Sequence, residues 1–240
     1  MYQRISLPIL FLVFCCLASC GGKKKAPDEN ADLQANDTNA IKQTENQIRK
    51  NESNTDTTLS SIQYLMEKGL DKWIQSFKNF QIDSFRQIDV RGFQENDYQK
   101  IVDLRQFYTF YKPSLSFSPD SSQFIDLYSS GISLEKKGKK IIAIGDVDQA
   151  VTLCNLKTKN WKSIISFGPS AGMEEALWLS PTKFILAGTM QNDEGKHQPV
   201  LLLGDTNEKS FHWFEANLIR DESAKYEASG FSKLKIDEWE

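Results

Sequence analysis

The chain has 240 residues, a formal charge of −3 and 25% charged residues. That balance is too even for a nucleic-acid-binding surface and too weak for a solvating acidic tail. Its two histidines, His197 and His212, stand 15 positions apart and its cysteines show no CxxC spacing, so no zinc-site pattern is present.

The first element is apolar. Arg4 precedes a run from Ile5 to Ala18, about 14 residues, whereas a membrane-spanning helix needs roughly 20. The run ends in "LASC", Leu17-Ala18-Ser19-Cys20, followed by two glycines and Lys23, Lys24 and Lys25. This stretch resembles the lipobox of bacterial lipoprotein precursors. The resemblance implies a diacylglyceryl thioether on Cys20, cleavage before it that removes a signal peptide of residues 1–19, and palmitate-type acylation of the new amine. The alternative, an uncleaved membrane helix, draws on the lysines that follow the run. Gly21 in place of an aspartate resembles the sorting pattern of outer-membrane lipoproteins. The basic "GGKKK" departs from acidic surface-export tags, so a domain facing the periplasm is expected. Two or three acyl chains would hold such a chain firmly on a bilayer, at about 0.8 kcal/mol per buried CH₂.

Residues 20–58 then form the lipidated cysteine and a polar linker, "ENADLQANDTNAIKQTENQIRKNESNTDTT", with no aromatic residue. Such a composition buries too little apolar surface to offset ordering entropy, so disorder is expected, with a reach of about 35 Å. "DTT" at Asp56–Thr58 resembles an O-glycosylation acceptor.

A globular β-rich domain is expected over 59–240. "SSIQ", Ser60 to Gln63, reads as a capping box. Ile62, Leu65, Met66, Trp73 and Phe77 line one face of the amphipathic helix that follows. Gly69 within it weakens the helix. A second helical segment starts near Tyr98 and runs through Ile101, Val102 and Arg105; its tail, "FYTFYKP", fits either a helix or a strand.

After Pro113 the pattern turns to β. "LSFSPDSSQFIDLYS" from Leu115 matches "LWLSPTKFILAGT" from Leu177, and "AVTLCNLKTKNWKSII" from Ala150 matches "PVLLLGDTNEKSFHWF" from Pro199. The repeats, about 113–168 and 174–216, resemble blades of WD-repeat-like β-propellers. The resemblance implies a mostly β (α+β) fold of antiparallel meanders. Two blades do not close a propeller. Either "SFRQIDVRGF", Ser84 to Phe93, supplies a degenerate blade, or the sheets are completed differently, for example as a sandwich.

Several residues carry chemistry worth weighing. "GPSAG", Gly168 to Gly172, fits the G-x-S-x-G elbow of a serine hydrolase with Ser170 as nucleophile, yet a strand-like run rather than a helix follows it. Asp146 and Asp148 read as a solvated turn. Glu174 and Glu175 are adjacent on a strand, where neighbours face opposite ways. Cys154 remains as a lone buried thiol once Cys15 and Cys16 are cleaved off and Cys20 is lipidated. "EKKGKK", Glu135 to Lys140, is a hairpin tip that keeps an edge soluble or grips an anionic glycan or lipid headgroup. Trp161, Trp178, Trp213 and Trp239 fill a core or stack on a ligand. No catalytic, cofactor or metal set stands out. The leading expectation is a non-catalytic interaction module, anchored at Cys20 and binding an envelope protein, a glycan or peptidoglycan. The alternatives are a hydrolase centred on Ser170 and an accessory subunit of an envelope complex.

Overall fold

A computed structural model describes residues 59, 61–97, 104–221 and 223–240. The signal segment, Cys20, the linker, Ser60 and the start of the second helical segment lie outside the described residues. No helix among the described residues is long and apolar enough to cross a membrane.

Residues 61–69 form helix α1, and α2 follows at Asp71–Gln75 after a break at Leu70. The buried stripe is Leu59, Met66, Leu70, Trp73 and Phe77, at helical spacing. Leu65, expected on that stripe, is 43% exposed: it stands one residue, or about 100° around the helix, from the buried Met66 and so falls off the stripe. Gln63 donates its amide to Glu67 Oε1 (2.7 Å), one turn on.

The repeats build two antiparallel meanders of the same order. In sheet one, β9 (Ala171–Trp178), β10 (Lys183–Gln191), β11 (His197–Asp205) and β12 (Ser210–Glu215) lie side by side. In sheet two the same succession is β3 (Ser116–Phe117), β4 (Gln123–Asp126), β7 (Gln149–Asn155) and β8 (Asn160–Phe167). The strands that complete them come from one N-terminal segment: β1 (Arg86–Gly92) pairs with β12, and β2 (Asn96–Asp97) pairs with β8. The segment from Ser84 to Phe93 therefore makes an outer strand of sheet one and no separate sheet. The fold is mostly antiparallel β, in open sheets.

Matching turns show why the two halves fold alike. Asn155 Oδ1 accepts from Lys157 N and Thr158 N (both 3.0 Å), as Asp205 Oδ1 accepts from Asn207 N (2.8 Å) and Glu208 N (3.3 Å). Each turn ends on a lysine in the left-handed region, Lys159 at φ 54° and Lys209 at φ 53°. In the first "SP" turn Asp120 Oδ1 accepts from both Ser118 Oγ (2.7 Å) and Ser122 Oγ (2.9 Å), and these bonds hold its carboxyl below the usual range. The second copy lacks the aspartate; Ser180 Oγ accepts from Thr182 N (3.3 Å) and Lys183 N (3.0 Å) instead.

One face of sheet one, with Ile185, Ala187, Leu201 and Phe214, packs against α1 and α2. The other, with Phe184, Leu186, Val200, Leu202 and Phe211, shares a core with sheet two. Phe167 meets Trp213 across that core (6.1 Å), and Phe93 enters it against Phe211 (4.5 Å). Beyond sheet two lies α3 (Leu104–Tyr111): the ambiguous aromatic tail is a helix, and its Phe107 packs on Trp161 (4.8 Å) and Phe124 (6.2 Å). Tyr111 ties α3 to a third sheet, donating to Ile132 O (2.7 Å) and accepting from Leu134 N (3.0 Å). That sheet is the hairpin of β5 (Ile132–Lys137) and β6 (Lys140–Gly145), with β13 (Glu238–Trp239) parallel to β6.

Candidate functional site

The site begins with a bulge. Across β10 and β9, Ala187 pairs with Glu175 and Gly188 with Met173, so Glu174 is an extra residue with no partner. Strict alternation would send the two carboxylates apart; the bulge lets both engage one C-terminal segment, residues 220–229.

Glu174 receives Arg220 through two parallel bonds, Nη1 to Oε1 and Nη2 to Oε2, each 2.6 Å. Trp73 Nε1 also donates to Oε2 (3.0 Å). The guanidinium lies between the rings of Phe77 (4.9 Å) and Tyr226 (4.7 Å), an arrangement that suits its planar, weakly hydrated cation. Its Nε is sealed from solvent without a partner. Glu175 Oε1 accepts from Tyr226 Oη (3.0 Å) and from Ser229 N (2.6 Å). Tyr128 Oη donates to the carbonyl of Glu174 (2.8 Å). Burial, reinforced by the neighbouring carboxylates, pushes both phenols well above their ordinary range, so both remain proton donors.

This network stands where the inner edges of the two sheets meet. Ser116 Oγ donates to Ala176 O (2.8 Å), and Trp178 Nε1 donates to Ser116 O (2.9 Å). Gln149 bridges the same seam, donating to Leu127 O (2.9 Å) and Met173 O (2.8 Å) and accepting from Met173 N (2.7 Å). A cavity of about 180 Å³ opens beside β3 and β9, lined in part by Ser114, Tyr128, Glu174, Glu175, Ser229 and Lys233.

The other sequence-derived candidates are dispersed. Ser170 lies exposed in the turn joining β8 to β9, its carbonyl accepting from Gln191 N (2.8 Å); a strand, not a helix, follows it. His197 Nδ1 is within 3.3 Å of Thr189 Oγ1 and His212 Nδ1 within 3.1 Å of Gln87 Oε1, so neither ring is engaged by that serine. Asp146 and Asp148 are exposed, and no group of three or more His, Cys, Asp or Glu side chains converges among the described residues. Trp161, Trp178 and Trp213 are buried; Trp239 is 54% exposed and stacks on Phe231 at 6.3 Å. In the lysine-rich hairpin Lys137 and Lys140 are ion-paired with Glu240 and Glu238 of the β13 segment, so two of its cations are already neutralised.

Cys154 is 3% exposed, and burial pushes its thiol up to about 11. We expect native protein to leave this thiol unlabelled by a maleimide at pH 7.5 over an hour, with full labelling in urea. Rapid native labelling would show that α3 lifts from sheet two.

In the sequence Arg220 and Tyr226 carry no signal beyond a lone arginine in "NLIRDESAKYEASG", and Trp73 reads only as part of an apolar helix face, because the hydrogen-bond partners that build the site lie 46 and more positions away. Comparison with protein-family models, with curated proteins and with solved structures finds no match to this chain.

Proposed function

We propose that this protein is a lipid-anchored binding module of a bacterial envelope. Cys20 carries the acyl chains, residues 20–58 serve as the leash, and the β-rich domain faces the periplasm from the outer membrane. Its partner is an envelope protein or a glycan such as peptidoglycan. The two meanders act as consecutive blade-like units, resembling those of propellers, that present their inner edges to that partner.

The observation that carries this reading is the polar cavity at the seam of β3 and β9, bordered by residues of both sheets and of the C-terminal segment. Concave sites with a few converging polar groups are where ligands bind. Ser170, by contrast, has neither a histidine within hydrogen-bond reach nor a helix behind it, so the hydrolase alternative is not favoured.

Mass spectrometry of the native protein is expected to find an acylated Cys20 as the first residue. Cys20→Ala is expected to leave the membrane fraction and to lose, in a crosslinked pull-down from detergent-solubilised envelopes, the partners that wild type retains. An intact Met1 with an unmodified sulfur at position 20 refutes the anchor. Digestion of the domain by protease added to intact cells refutes the orientation.

A further inference from the structure

Another cavity, of about 340 Å³, lies where the turn between β7 and β8 comes together with the turn between β11 and β12. It shares no lining residue with the cavity at β3 and β9. The two meanders thus contribute equivalent turns to one groove, and Gln123 Nε2 ties their ends together by donating to Pro181 O (3.2 Å). Its size falls at the lower end of the ~300–1,000 Å³ typical of small-ligand sites.

The lining has two parts. Ile164, 1% exposed, with half-buried Phe93 and Leu153, gives the groove an apolar side continuous with the core that the two sheets share. Most of the rest is amide and hydroxyl: Asn155, Thr158 and Asn160 from the first meander, and Thr182, Thr206 and Asn207 from the second. Asn155 spends its Oδ1 on the backbone of its own turn, which leaves its amide donors. The side chains of the other five make no hydrogen bond to another described residue.

The groove is electrically balanced. Lys209 pairs with Glu95 (2.8 Å) and Lys162 with Asp97, so every charged side chain of the lining has a counterion. An ionic ligand would meet no uncompensated charge there and would lose hydration on entering. A sugar hydroxyl is both donor and acceptor, as are hydroxyl and amide side chains taken together. The C–H face of a sugar ring suits the side made by Phe93 and Leu153.

We propose that this groove is a binding site for a short neutral saccharide, a mono- or disaccharide unit of an envelope glycan, held by the turns of both meanders. The inference rests on the binding-module reading and gives that module a saccharide site apart from the seam of β3 and β9.

The test uses full-length protein at pH 7.5 in a non-ionic detergent with a polyether rather than a sugar headgroup. Saturation-transfer NMR follows titration with N,N′-diacetylchitobiose and, in a separate arm, cellobiose. Saturable binding with a Kd on the order of 1 mM is expected. Digalacturonate, which carries two carboxylates, is expected to bind roughly tenfold more weakly. Asn160→Ala and Asn207→Ala, one exposed turn position in each meander, are each expected to weaken disaccharide binding about fivefold, the worth of one hydrogen bond. The double variant is expected to be weaker than either, with the Tm of wild type.

No saturable binding of either disaccharide overturns the proposal, as does equal affinity for digalacturonate or unchanged binding in the double variant. If the pull-down finds partners while neither disaccharide binds, the saccharide site fails and the binding-module reading stands. If a disaccharide binds through Asn160 and Asn207 while Cys20→Ala loses no partner, the groove stands and the anchored-module reading fails.

Discussion

Gly188→Ala is expected to destabilise the domain by about 3 kcal/mol, the upper end of what overpacking usually costs. A Cβ at Gly188 would sit 2.0 Å from the carbonyl oxygen of Gly172 and 2.7 Å from the Cα of Met173. Both are backbone atoms of the neighbouring strand β9, held in register by β10, so neither can turn aside. Relief requires the two strands to part at the bulge, which is also what places Glu174 against Arg220. Gly69→Ala is the informative contrast. There the new methyl meets the end of the Leu177 side chain, 2.6 Å from Cδ1, and that side chain can change rotamer. Alanine also gains roughly 1 kcal/mol of helix propensity over glycine. We expect Gly69→Ala to fall within about 1 kcal/mol of wild type. Urea unfolding followed by tryptophan fluorescence checks both. Equal midpoints for Gly188→Ala and wild type would mean that the strands at the bulge are not in close contact.

The contrast also shows what was legible in the chain. A glycine in a helical pattern reads as a weak point, and only the position of Leu177, 108 residues on, reveals it as the place where α1 approaches β9. Local patterns carried the meanders: alternation, paired "SP" turns and the Asn155 and Asp205 turns are short-range features. The buried tryptophans followed from the same repeats. The origin of the outer strands did not, because β1 pairs with β12 across more than a hundred residues and its Ile88 and Val90 remain exposed, leaving weak alternation. The candidate site was legible only as its parts. In the sequence Glu174 and Glu175 face opposite ways by the rule of alternation, which a single extra residue in β9 suspends. A bulge is a property of the pairing, so no feature of either strand alone announces it.

The same bulge makes Arg220 the side chain on which the docking of the C-terminal segment depends. Arg220→Leu is expected to cost about 2–4 kcal/mol, somewhat below the loss of one partner from a fully buried pair. The side chains of Arg220 and Glu174 are 17% and 23% exposed, so some solvent reaches the carboxylate left behind. Glu174 would keep only Trp73 Nε1 as a donor, in a setting built for a cation. Leucine, however, preserves apolar contact with Phe77 and Tyr226, so the loss reports the charge more than the packing. Removing the second charge should then restore part of the stability: Arg220→Leu with Glu174→Gln is expected to exceed Arg220→Leu alone by roughly 1–2 kcal/mol. A second readout separates local from global effects. In Arg220→Leu, limited proteolysis should cut within residues 220–229, where Arg220 pairs with Phe77 and Tyr226 and Ser229 hold Glu175, before the meanders unfold. An Arg220→Leu protein with wild-type midpoint and no new cleavage would show that the segment is held by its backbone and by Glu175, and that the guanidinium contributes nothing to its docking.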